Sequence, residues 1–452
     1  MRLRALIARK LLRAVLRVRF YRSSAQRRCR EPAKLRKVCN LIISPMARLS
    51  AKTNPDKRAI RRAVFKLGTN IVTRDSGELD IETISDLVGQ IAGAHRSGLE
   101  LVIVSSGAVG AGMDTLITRS PKSRGRLRRR NVTARQAAAA IGQVDVIALY
   151  KSEFGRYGID VAQTLLSRSV LNQRDGYLNV RGTMEMLLEA GIVPIVNEND
   201  VVAVEEIVGV TYGDNDRLSA MLANVLDADL LVLLGEMDGL HTADPHQAPD
   251  AVLIHDVYEI TEEIRAFAGG PSDNRGSGGM RSKLAAAEVT TLSGVDMVIA
   301  DGHVENIVGR LLDGEKIGTR FHSLVPPTES RKRWLLTGGT EATGAVTIDD
   351  GAVRALTEKG VSLLPVGVTA VDGDFERGDI IGVKSLSGKD VAWGLSNYSA
   401  AQTRLVMGKR SGEMPNILEN YFGREIVHRN NLVIGAIGAM ESTSERPIPS
   451  SD

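Results

Sequence analysis

The chain has 452 residues with a formal net charge of +4, and 43% of its residues are hydrophobic. This length allows two or three domains with a sizeable core, and no apolar run reaches the roughly eighteen residues of a membrane-spanning helix. Both cysteines, Cys29 and Cys39, lie near the N-terminus, which excludes disulfides, cysteine-ligated zinc and a cysteine nucleophile from the rest of the chain.

The net charge is an average over two unlike parts of the chain. Residues 1–62 contain 20 Lys and Arg but only two acidic residues, Glu31 and Asp56, which gives a local net charge of +18. The remaining residues contain 38 basic and 52 acidic side chains, a net charge of −14. The body of the protein is therefore acidic, and it is a poor candidate for general binding of a nucleic-acid backbone.

The basic N-terminal extension, residues 1–61, is expected to be disordered or to act as a targeting segment. Arg9, Arg13 and Arg17 recur at every fourth position among apolar residues, a pattern typical of an organellar transit peptide. Alternatively, translation begins near Met46 and most of this extension is never made. The sequence leaves both interpretations open, and in the second the protein is expected to be cytoplasmic.

From Arg62 onward, apolar strand patterns alternate with helical patterns. The predicted strands are Ala63–Leu67, Leu101–Val104, Ile192–Val196, Leu230–Leu234 and Val295–Ala300. The predicted helices are Ile81–His95, Ala134–Phe154, Val180–Glu189, Leu218–Leu226 and Leu284–Leu292. This alternation predicts an α/β domain over residues 62–322, with a mostly parallel sheet sandwiched by helices.

The pattern changes after residue 322. A proline-containing segment, residues 323–330, is expected to be a linker. Residues 331–430 contain short apolar segments separated by glycines, together with both tryptophans, Trp334 and Trp393. They predict a small, mainly β domain, followed by a C-terminal tail over residues 431–452.

Two polar clusters stand directly against apolar segments. Asn197–Asp200 follows a predicted strand, and Tyr212–Arg217 precedes a predicted helix, with Asp214 or Asn215 suited to its N-cap. In an open α/β sheet, ligands bind at the carboxyl ends of the strands, beside the starts of nearby helices. The two clusters together therefore predict an active site.

Three glycine-containing segments provide the closely approaching backbone N–H groups that a phosphate site needs. They are Lys66–Asn70, Ser105–Gly112 and Gly276–Lys283. None matches a Walker A loop or a dinucleotide-binding fingerprint, and each alone is consistent with an ordinary tight turn. Because three occur in one α/β domain, two of them with a lysine, the sequence favours a nucleotide ligand. The seven histidines form no ligand pair, so no metal-ligating residue is assigned.

An ordered series of motifs resembles the glutamate 5-kinases of the amino acid kinase family. The series consists of Val64–Thr69, Ser106–Ala108, Gln136–Gln143, Asn197–Asp200, Gly213–Asp216, Gly239–Pro245 and Gly278–Lys283. Three later segments resemble the PUA domain that many bacterial members carry, namely Arg331–Trp334, Ser362–Pro365 and Val427–Arg429. The resemblance covers residues 63 to about 430 in the expected order.

The resemblance implies an enzyme that phosphorylates the side-chain carboxylate of L-glutamate with ATP and Mg²⁺, giving L-glutamyl 5-phosphate in the first step of proline biosynthesis. It implies catalytic roles for Lys66, Asp216 and Lys283, and glutamate binding by Ser106, Asp200 and Asn215. The ATP-binding residues that it implies are Lys66, Gly68, Gly235, Glu236, Ser277, Gly278, Gly279, Met280, Arg281, Ser282 and Lys283.

This chain departs from the family pattern at two positions. Gly235-Glu236 replaces the usual Thr-Asp, and His241 replaces a common tyrosine. Both positions lie on the nucleotide side by similarity, so the affinity for ATP or the base preference is expected to differ. Neither change removes a charge that phosphoryl transfer needs.

The resemblance also implies several partners. These are proline as a feedback inhibitor, further copies of the chain in a homo-oligomer, and glutamyl phosphate reductase as the enzyme that receives the product; no membrane is implied.

Two alternatives remain at this stage. One is another carboxylate kinase of the same fold, such as an acetylglutamate or aspartate kinase. The other is an RNA-binding protein that acts through the PUA-like domain. The sequence features in that domain that favour RNA binding are two short basic clusters, Arg331–Arg333 and Lys409-Arg410.

Overall fold

The computed structural model describes residues 60–119, 132–202, 214–245, 247–248, 250–268, 279–323 and 342–435. The N-terminal extension up to residue 59, nearly all of the expected linker and most of the expected C-terminal tail lie outside these residues. No helix within the described ranges is both long and apolar enough to span a membrane.

An eight-stranded sheet forms the centre of the first domain. Its strands are β1 (Arg62–Leu67), β2 (Glu100–Val104), β3 (Val161–Leu166), β4 (Val193–Glu198), β5 (Leu230–Gly235), β8 (Asp256–Val257), β9 (Asp296–Asp301) and β10 (Thr319–Phe321). Their order is β3-β4-β2-β1-β5-β9-β10-β8, and all neighbours are parallel except the β9–β10 pair. A separate antiparallel pair consists of β6 (Leu240–His241) and β7 (Leu253–Ile254).

Helices pack on both faces of this sheet. They are α1 (Thr69–Val72), α2 (Ile81–Arg96), α3 (Ala108–Arg119), α4 (Val132–Gly155), α5 (Arg168–Asn172), α6 (Arg174–Glu189), α7 (Asp214–Val225), α8 (Glu262–Phe267), α9 (Met280–Leu292) and α10 (Ile307–Leu312). Successive residues of a strand point to opposite faces. Accordingly, Phe65 of β1 is buried in one core with Leu87 of α2, whereas Val64 is buried in a second core with Leu222 of α7.

The predicted fold class, a mostly parallel α/β sheet covered by helices, is confirmed. The five predicted strands are present with shifts of one or two residues at their ends. Among the described helices, three begin four or more residues earlier than the apolar pattern indicates: α6 at Arg174 instead of Val180, α7 at Asp214 instead of Leu218, and α9 at Met280 instead of Leu284. In each of them the added residues include polar side chains, which an apolar periodicity does not register.

Two glycines set the distance between α3 and α4. A Cβ on Gly112 would lie 2.0 Å from the Ala138 carbonyl oxygen, and a Cβ on Gly142 would lie 2.1 Å from the Ala108 carbonyl oxygen. The two helices therefore contact through their backbones, which a side chain at either glycine would prevent. Gly112 belongs to one of the three glycine-containing segments that the sequence suggests for a phosphate site, but in the structure it allows this close helix packing.

The second domain contains a five-stranded sheet. Its strands are β11 (Gly344–Ile348), β12 (Val368–Gly373), β13 (Ile380–Ser385), β14 (Asp390–Leu395) and β15 (Leu432–Ile434). Their order is β12-β11-β13-β14-β15, and only the β11–β13 pair is parallel. Strand β15 lies beyond residue 430, in the range that the sequence assigns to the tail.

In the part of this domain that the structure describes, the sheet is accompanied by three α-helices: α11 (Asp350–Lys359), α12 (Ala400–Val406) and α13 (Met414–Ile417). The ends of the first two are fixed by local side-chain chemistry. The Asp349 carboxylate accepts a hydrogen bond from the Ala352 N–H, and Ser399 forms a capping box with Gln402. Gly360 ends α11 in the left-handed conformation, with φ of 58°.

Candidate active site

The candidate site lies at the carboxyl edge of the large sheet. Strand β1 pairs with β2 on one side and with β5 on the other, so the order of connections reverses at β1. Such a reversal leaves a crevice beyond the carboxyl ends of the central strands. Lys66 and Gly68 at the end of β1, Ser105 and Ser106 after β2, and Asn197 at the end of β4 all meet this edge.

A carboxylate held between two lysines forms one half of the site. Asp216 Oδ1 lies 2.6 Å from Lys66 Nζ, and Asp216 Oδ2 lies 3.2 Å from Lys283 Nζ. The Ser282 hydroxyl donates to the same Oδ2 over 2.7 Å. Asp216 has no exposed surface, and the two lysines are less than one-tenth exposed. We call Lys66, Asp216, Ser282 and Lys283 the lysine cluster.

The lysine cluster follows from the strand pattern. Lys66 has the same parity along β1 as Val64, so it points toward the face that α7 and α9 cover. Asp216 lies in the first turn of α7, and Lys283 lies in the first turn of α9. The packed helices therefore bring both to the end of β1, although 150 and 217 residues separate them from Lys66 in sequence.

Burial and the neighbouring charges both shift the pKa values of the lysine cluster. Burial alone would raise the pKa of Asp216, but the charges of Lys66 and Lys283, with hydrogen bonds from Lys66 and Ser282, lower it. Burial lowers the pKa of Lys283, and the charge of Lys66 lowers it further, whereas Asp216 opposes that change. A negatively charged ligand would favour the charged form of Lys283.

Asn215 organises the other half of the site. Its Nδ2 donates to the Ser105 carbonyl oxygen (2.9 Å), the Ser106 hydroxyl (3.1 Å) and the Asn197 Oδ1 (3.1 Å). Asn197 is itself held by Gln143 of α4, with 2.8 Å between Asn197 Nδ2 and Gln143 Oε1. We call Ser106, Gln143, Asn197 and Asn215 the amide cluster. The geometry rules out the N-cap role expected for Asn215, because Asn215 lies inside α7 and its amide reaches the residues after β2 and the end of β4.

Two buried atoms of the amide cluster have no hydrogen-bond partner among the described residues. They are the Asn215 Oδ1 acceptor and the Gln143 Nε2 donor. An unpaired buried polar group costs roughly 1–3 kcal/mol, so such groups call for a functional explanation. A polar ligand that presents a donor to Asn215 and an acceptor to Gln143 would satisfy both.

From the sequence alone, Gln143, Asn197 and Ser105 carry no individual role, although Asn197 and Ser105 belong to segments that predict the site. Gln143 ends the Gln136–Gln143 motif, and Ser105 forms a 3.0 Å hydrogen bond with the buried Tyr150 hydroxyl. The signal that could have identified them is a polar residue within an otherwise apolar run. Asp200, the third predicted glutamate-binding residue, is half-buried and follows β4 by two positions.

Those predicted nucleotide-binding residues that the structure describes lie along the β5 and α9 side of β1. The Gly68 N–H donates to the Leu234 carbonyl oxygen over 2.9 Å, and a Cβ on Gly68 would lie 3.8 Å from Lys66 Nζ. Asn70 Nδ2 donates to Glu236 Oε2 over 2.7 Å, which gives the substituted Glu236 a defined partner. Gly235 accepts a backbone hydrogen bond from Gly302.

The start of α9 supplies the rest of this side. Gly279 is the N-cap of α9, Met280 is buried and Arg281 is exposed. Ser282 and Lys283 point into the lysine cluster. Ser277 and Gly278, which the sequence also assigns to ATP binding, lie outside the described residues.

Comparison with known protein families places both domains. The amino acid kinase family matches residues 61–301, and the PUA domain family matches residues 344–418. The chain therefore belongs to the amino acid kinase family and carries a PUA domain after the kinase region.

The curated relatives are more specific. A glutamate 5-kinase from Dehalococcoides mccartyi is 46% identical over 375 residues, which cover 83% of this chain and 98% of that protein. A glutamate 5-kinase from Herpetosiphon aurantiacus is 43% identical, covering 84% of this chain and 99% of that protein. A glutamate 5-kinase from Yersinia pestis is 42% identical, covering 82% of this chain and 98% of that protein. The resemblance predicted from the ordered motifs is thus confirmed.

Proposed function

We propose that this chain is a phosphotransferase that moves the γ-phosphoryl group of ATP to the side-chain carboxylate of L-glutamate. The product is L-glutamyl 5-phosphate, the activated intermediate that begins proline biosynthesis. The observation that carries the proposal is the lysine cluster, with two buried ammonium groups on one buried carboxylate at the sheet's carboxyl edge. The similarity to glutamate 5-kinases over nearly their whole length supports the choice of acceptor.

The reaction needs positioning and positive charge more than proton transfer. A carboxylate oxygen of glutamate attacks the γ-phosphorus, and the bond from that phosphorus to the β,γ-bridging oxygen breaks. ADP leaves with the electron pair of the broken bond. A glutamate carboxyl group has an ordinary pKa of about 4.3, so the nucleophile is already ionised at neutral pH and no general base is required.

Lys66 and Lys283 supply the charge for this step. The lysine cluster combines two ammonium groups with one carboxylate, so its net charge is positive when all three are ionised. In a buried site, positive groups fixed in advance stabilise the charge that develops on the transferring phosphoryl group. Asp216 fixes both lysines through its two carboxylate oxygens and is thus a positioning residue.

The amide cluster and Asp200 hold glutamate. Asn215 Oδ1 is a buried acceptor suited to a donor of the substrate, and Gln143 Nε2 is a buried donor suited to a carboxylate oxygen. Ser106 presents its hydroxyl beside Asn215 Nδ2. Asp200 supplies the negative charge for the α-ammonium group. Because Asn215 and Asp216 are adjacent in α7, glutamate held by the first lies next to the lysines held by the second.

ATP occupies the β5 and α9 side. Gly68 and Gly279 let the backbone approach the phosphates, and Gly235 with Glu236 lies on the nucleotide side of β1. Met280, Arg281 and Ser282 complete the described part of this side, and the roles proposed for Ser277 and Gly278 rest on the resemblance alone.

Mg²⁺ accompanies ATP in this proposal. The described residues contain no group of three or more His, Cys, Asp or Glu side chains placed to hold a metal ion. Both carboxylate oxygens of Asp216 are engaged by Lys66, Lys283 and Ser282. An ion that kept most of its waters and bound the phosphates of ATP would fit these residues, and it would neutralise phosphate charge there.

A substrate comparison tests the proposal. The purified chain is incubated with ATP, Mg²⁺ and hydroxylamine, which traps an acyl phosphate as a coloured hydroxamate. Glutamate, aspartate and N-acetylglutamate are supplied in separate reactions. We expect hydroxamate with glutamate and little with the other two. Equal or greater product with aspartate or N-acetylglutamate would reassign the acceptor, and no product with any of them would refute the proposal.

A further inference from the structure

Helix α7 joins the active site to the PUA domain. Its first turn carries Asn215 and Asp216, and its last residue is Val225. At 1.5 Å per residue, its 12 residues span roughly 18 Å. Asp227 follows two positions after the helix and lies in the left-handed region, with φ of 50°. The chain therefore turns sharply just after the far end of α7. Contacts made at this end help to determine where the first turn of the helix lies.

Arg181 of α6 caps this far end. Its Nη1 donates to the Val225 carbonyl oxygen over 2.7 Å, and its Nη2 lies 2.7 Å from Asp227 Oδ2 and 2.8 Å from Glu185 Oε1. The last carbonyl groups of a helix have no partner within the helix, and a cation there opposes the negative end of the helix dipole. Arg181 is only 3% exposed, so this cap is screened little by water.

The PUA domain contacts the same point. Asn430 Nδ2 donates to Asp227 Oδ2 over 2.9 Å, and this is the oxygen that Arg181 also contacts. His428 lies nearby, where burial and the charge of Arg181 lower its pKa. A second contact between the domains joins Arg377 Nη1 to Asn179 Oδ1 over 2.7 Å.

An apolar core continues across this contact. Four buried residues of the PUA sheet belong to the same hydrophobic core as residues of α6 and α7. They are Ile380, Trp393, Leu395 and Val433. Because protein interiors are close-packed, such a core holds the two domains as one body, and Asn430 is held against Asp227 rather than meeting it occasionally.

We infer that Arg181 and Asn430 together are positioning residues for the kinase reaction, which they serve by fixing the far end of α7. The inference rests on the proposed function, since α7 carries Asn215 and Asp216 into the site. A helix is stiff along its axis, so a shift of its last turn displaces its first turn. The 2.6 Å contact between Asp216 and Lys66 leaves little room for such a shift.

The variant Asn430→Ala tests the inference. It removes the one hydrogen bond from Asn430 to Asp227 and leaves the apolar core between the domains intact, so the protein should fold. Asn416→Ala, at an exposed position of the same domain, is the matched control. We expect kcat with glutamate to fall about threefold or more in Asn430→Ala with KM for ATP little changed, while Asn416→Ala matches the wild type.

Hydrogen exchange provides a readout that does not depend on the reaction. Amide protons of residues 216–219 should exchange faster in Asn430→Ala than in Asn416→Ala, because the far end of α7 is less firmly held. Arg181→Lys, which keeps the charge but loses the second donor arm, should show a similar change. Unchanged exchange in this turn, together with an unchanged kcat, would overturn the inference. A wild type without activity but with faster exchange in Asn430→Ala would refute the proposed function alone.

Discussion

Asn215 and Asp216 are adjacent in α7, yet their side chains reach opposite halves of the crevice. The Asn215 amide lies 3.1 Å from the Ser106 hydroxyl, and the Asp216 carboxylate lies 2.6 Å from the Lys66 ammonium group. Successive residues of a helix project about 100° apart, so one helical turn can face both halves. Through this turn, the proposed acceptor carboxylate and the proposed phosphoryl-binding lysines come to lie side by side.

Asp216→Asn should abolish most activity with little change in shape. The amide is the same size but carries no charge, so the two lysines lose the group that holds them and repel each other. We expect kcat to fall about 100-fold or more, and we expect the midpoint of thermal unfolding to fall as well, because buried ammonium groups lose their partner. Steady-state kinetics and calorimetry measure the two effects.

The control for that variant is Asp145→Asn, which makes the same chemical change at an exposed position of α4. Its kcat and unfolding midpoint should equal those of the wild type. If Asp216→Asn also retained its kcat, the positioning role of Asp216 would be wrong.

Asn215→Ala should separate glutamate binding from ATP binding. The variant removes the buried acceptor Oδ1 and the amide that contacts Ser105, Ser106 and Asn197. We expect KM for glutamate to rise about tenfold or more, with KM for ATP changed much less. A parallel rise in both constants would indicate a general disturbance of α7 and contradict the assignment of Asn215 to glutamate.

Ionisation of the buried Tyr150 hydroxyl should lower the stability of the protein at alkaline pH. Burial raises the pKa of Tyr150 from 10.0 to about 12, although its hydrogen bond with Ser105 opposes this change. Because the folded state favours the neutral phenol, the stabilisation is complete below pH 10 and is lost as the pH rises toward 12. The shift of about two pKa units corresponds to roughly 2–3 kcal/mol.

Urea unfolding of the wild type and Tyr150→Phe between pH 8 and pH 12 measures this loss. The difference in free energy of unfolding between the two proteins should change across that range, since phenylalanine does not titrate. Other tyrosines and lysines titrate equally in both proteins and cancel in the difference. A difference that stays constant with pH would contradict the prediction.

Gly142→Ala should destabilise the contact between α3 and α4. The new methyl group would lie 2.1 Å from the Ala108 carbonyl oxygen and 2.5 Å from the Gly112 nitrogen, so the helices must move apart. We expect a loss of about 1–3 kcal/mol in the free energy of unfolding, measured in urea. Gly93→Ala is the matched control, because a Cβ there meets nothing within 4 Å and alanine favours a helix interior by roughly 0.5–1 kcal/mol.

The sequence alone predicts the layers of the kinase domain because its buried strands are mostly apolar, interrupted only near their ends by polar residues such as Lys66 and Asn197. Strand β3 escapes such a prediction: its residues include Gln163 and Thr164, and only Leu166 is fully buried. As an edge strand it needs no apolar run on both faces. The early starts of α6 and α9 escape for a different reason, since polar residues such as Asp175 and Ser282 interrupt the apolar periodicity there.

Some features of the candidate site can likewise be predicted from the sequence, and others cannot. Lys66, Asp216 and Lys283 can be predicted as a group because ordered motifs carry them, although their distances depend on how α7 and α9 pack. The bond between Gln143 and Asn197 cannot be predicted, since it joins α4 to β4 across 54 residues. The contact of Asn430 with Asp227 spans 203 residues and two domains, and nothing in either local sequence indicates it.

The most direct test of the proposed function is the catalytic rate of Lys283→Met in the hydroxamate assay with saturating glutamate and ATP. Methionine preserves much of the side-chain volume in the buried position but removes the ammonium group. Lys151→Met, at an exposed position of α4, is the matched control. We expect kcat to fall about 100-fold or more in Lys283→Met and to be unchanged in Lys151→Met. A folded Lys283→Met protein that forms glutamyl hydroxamate at the wild-type rate would contradict the proposed function.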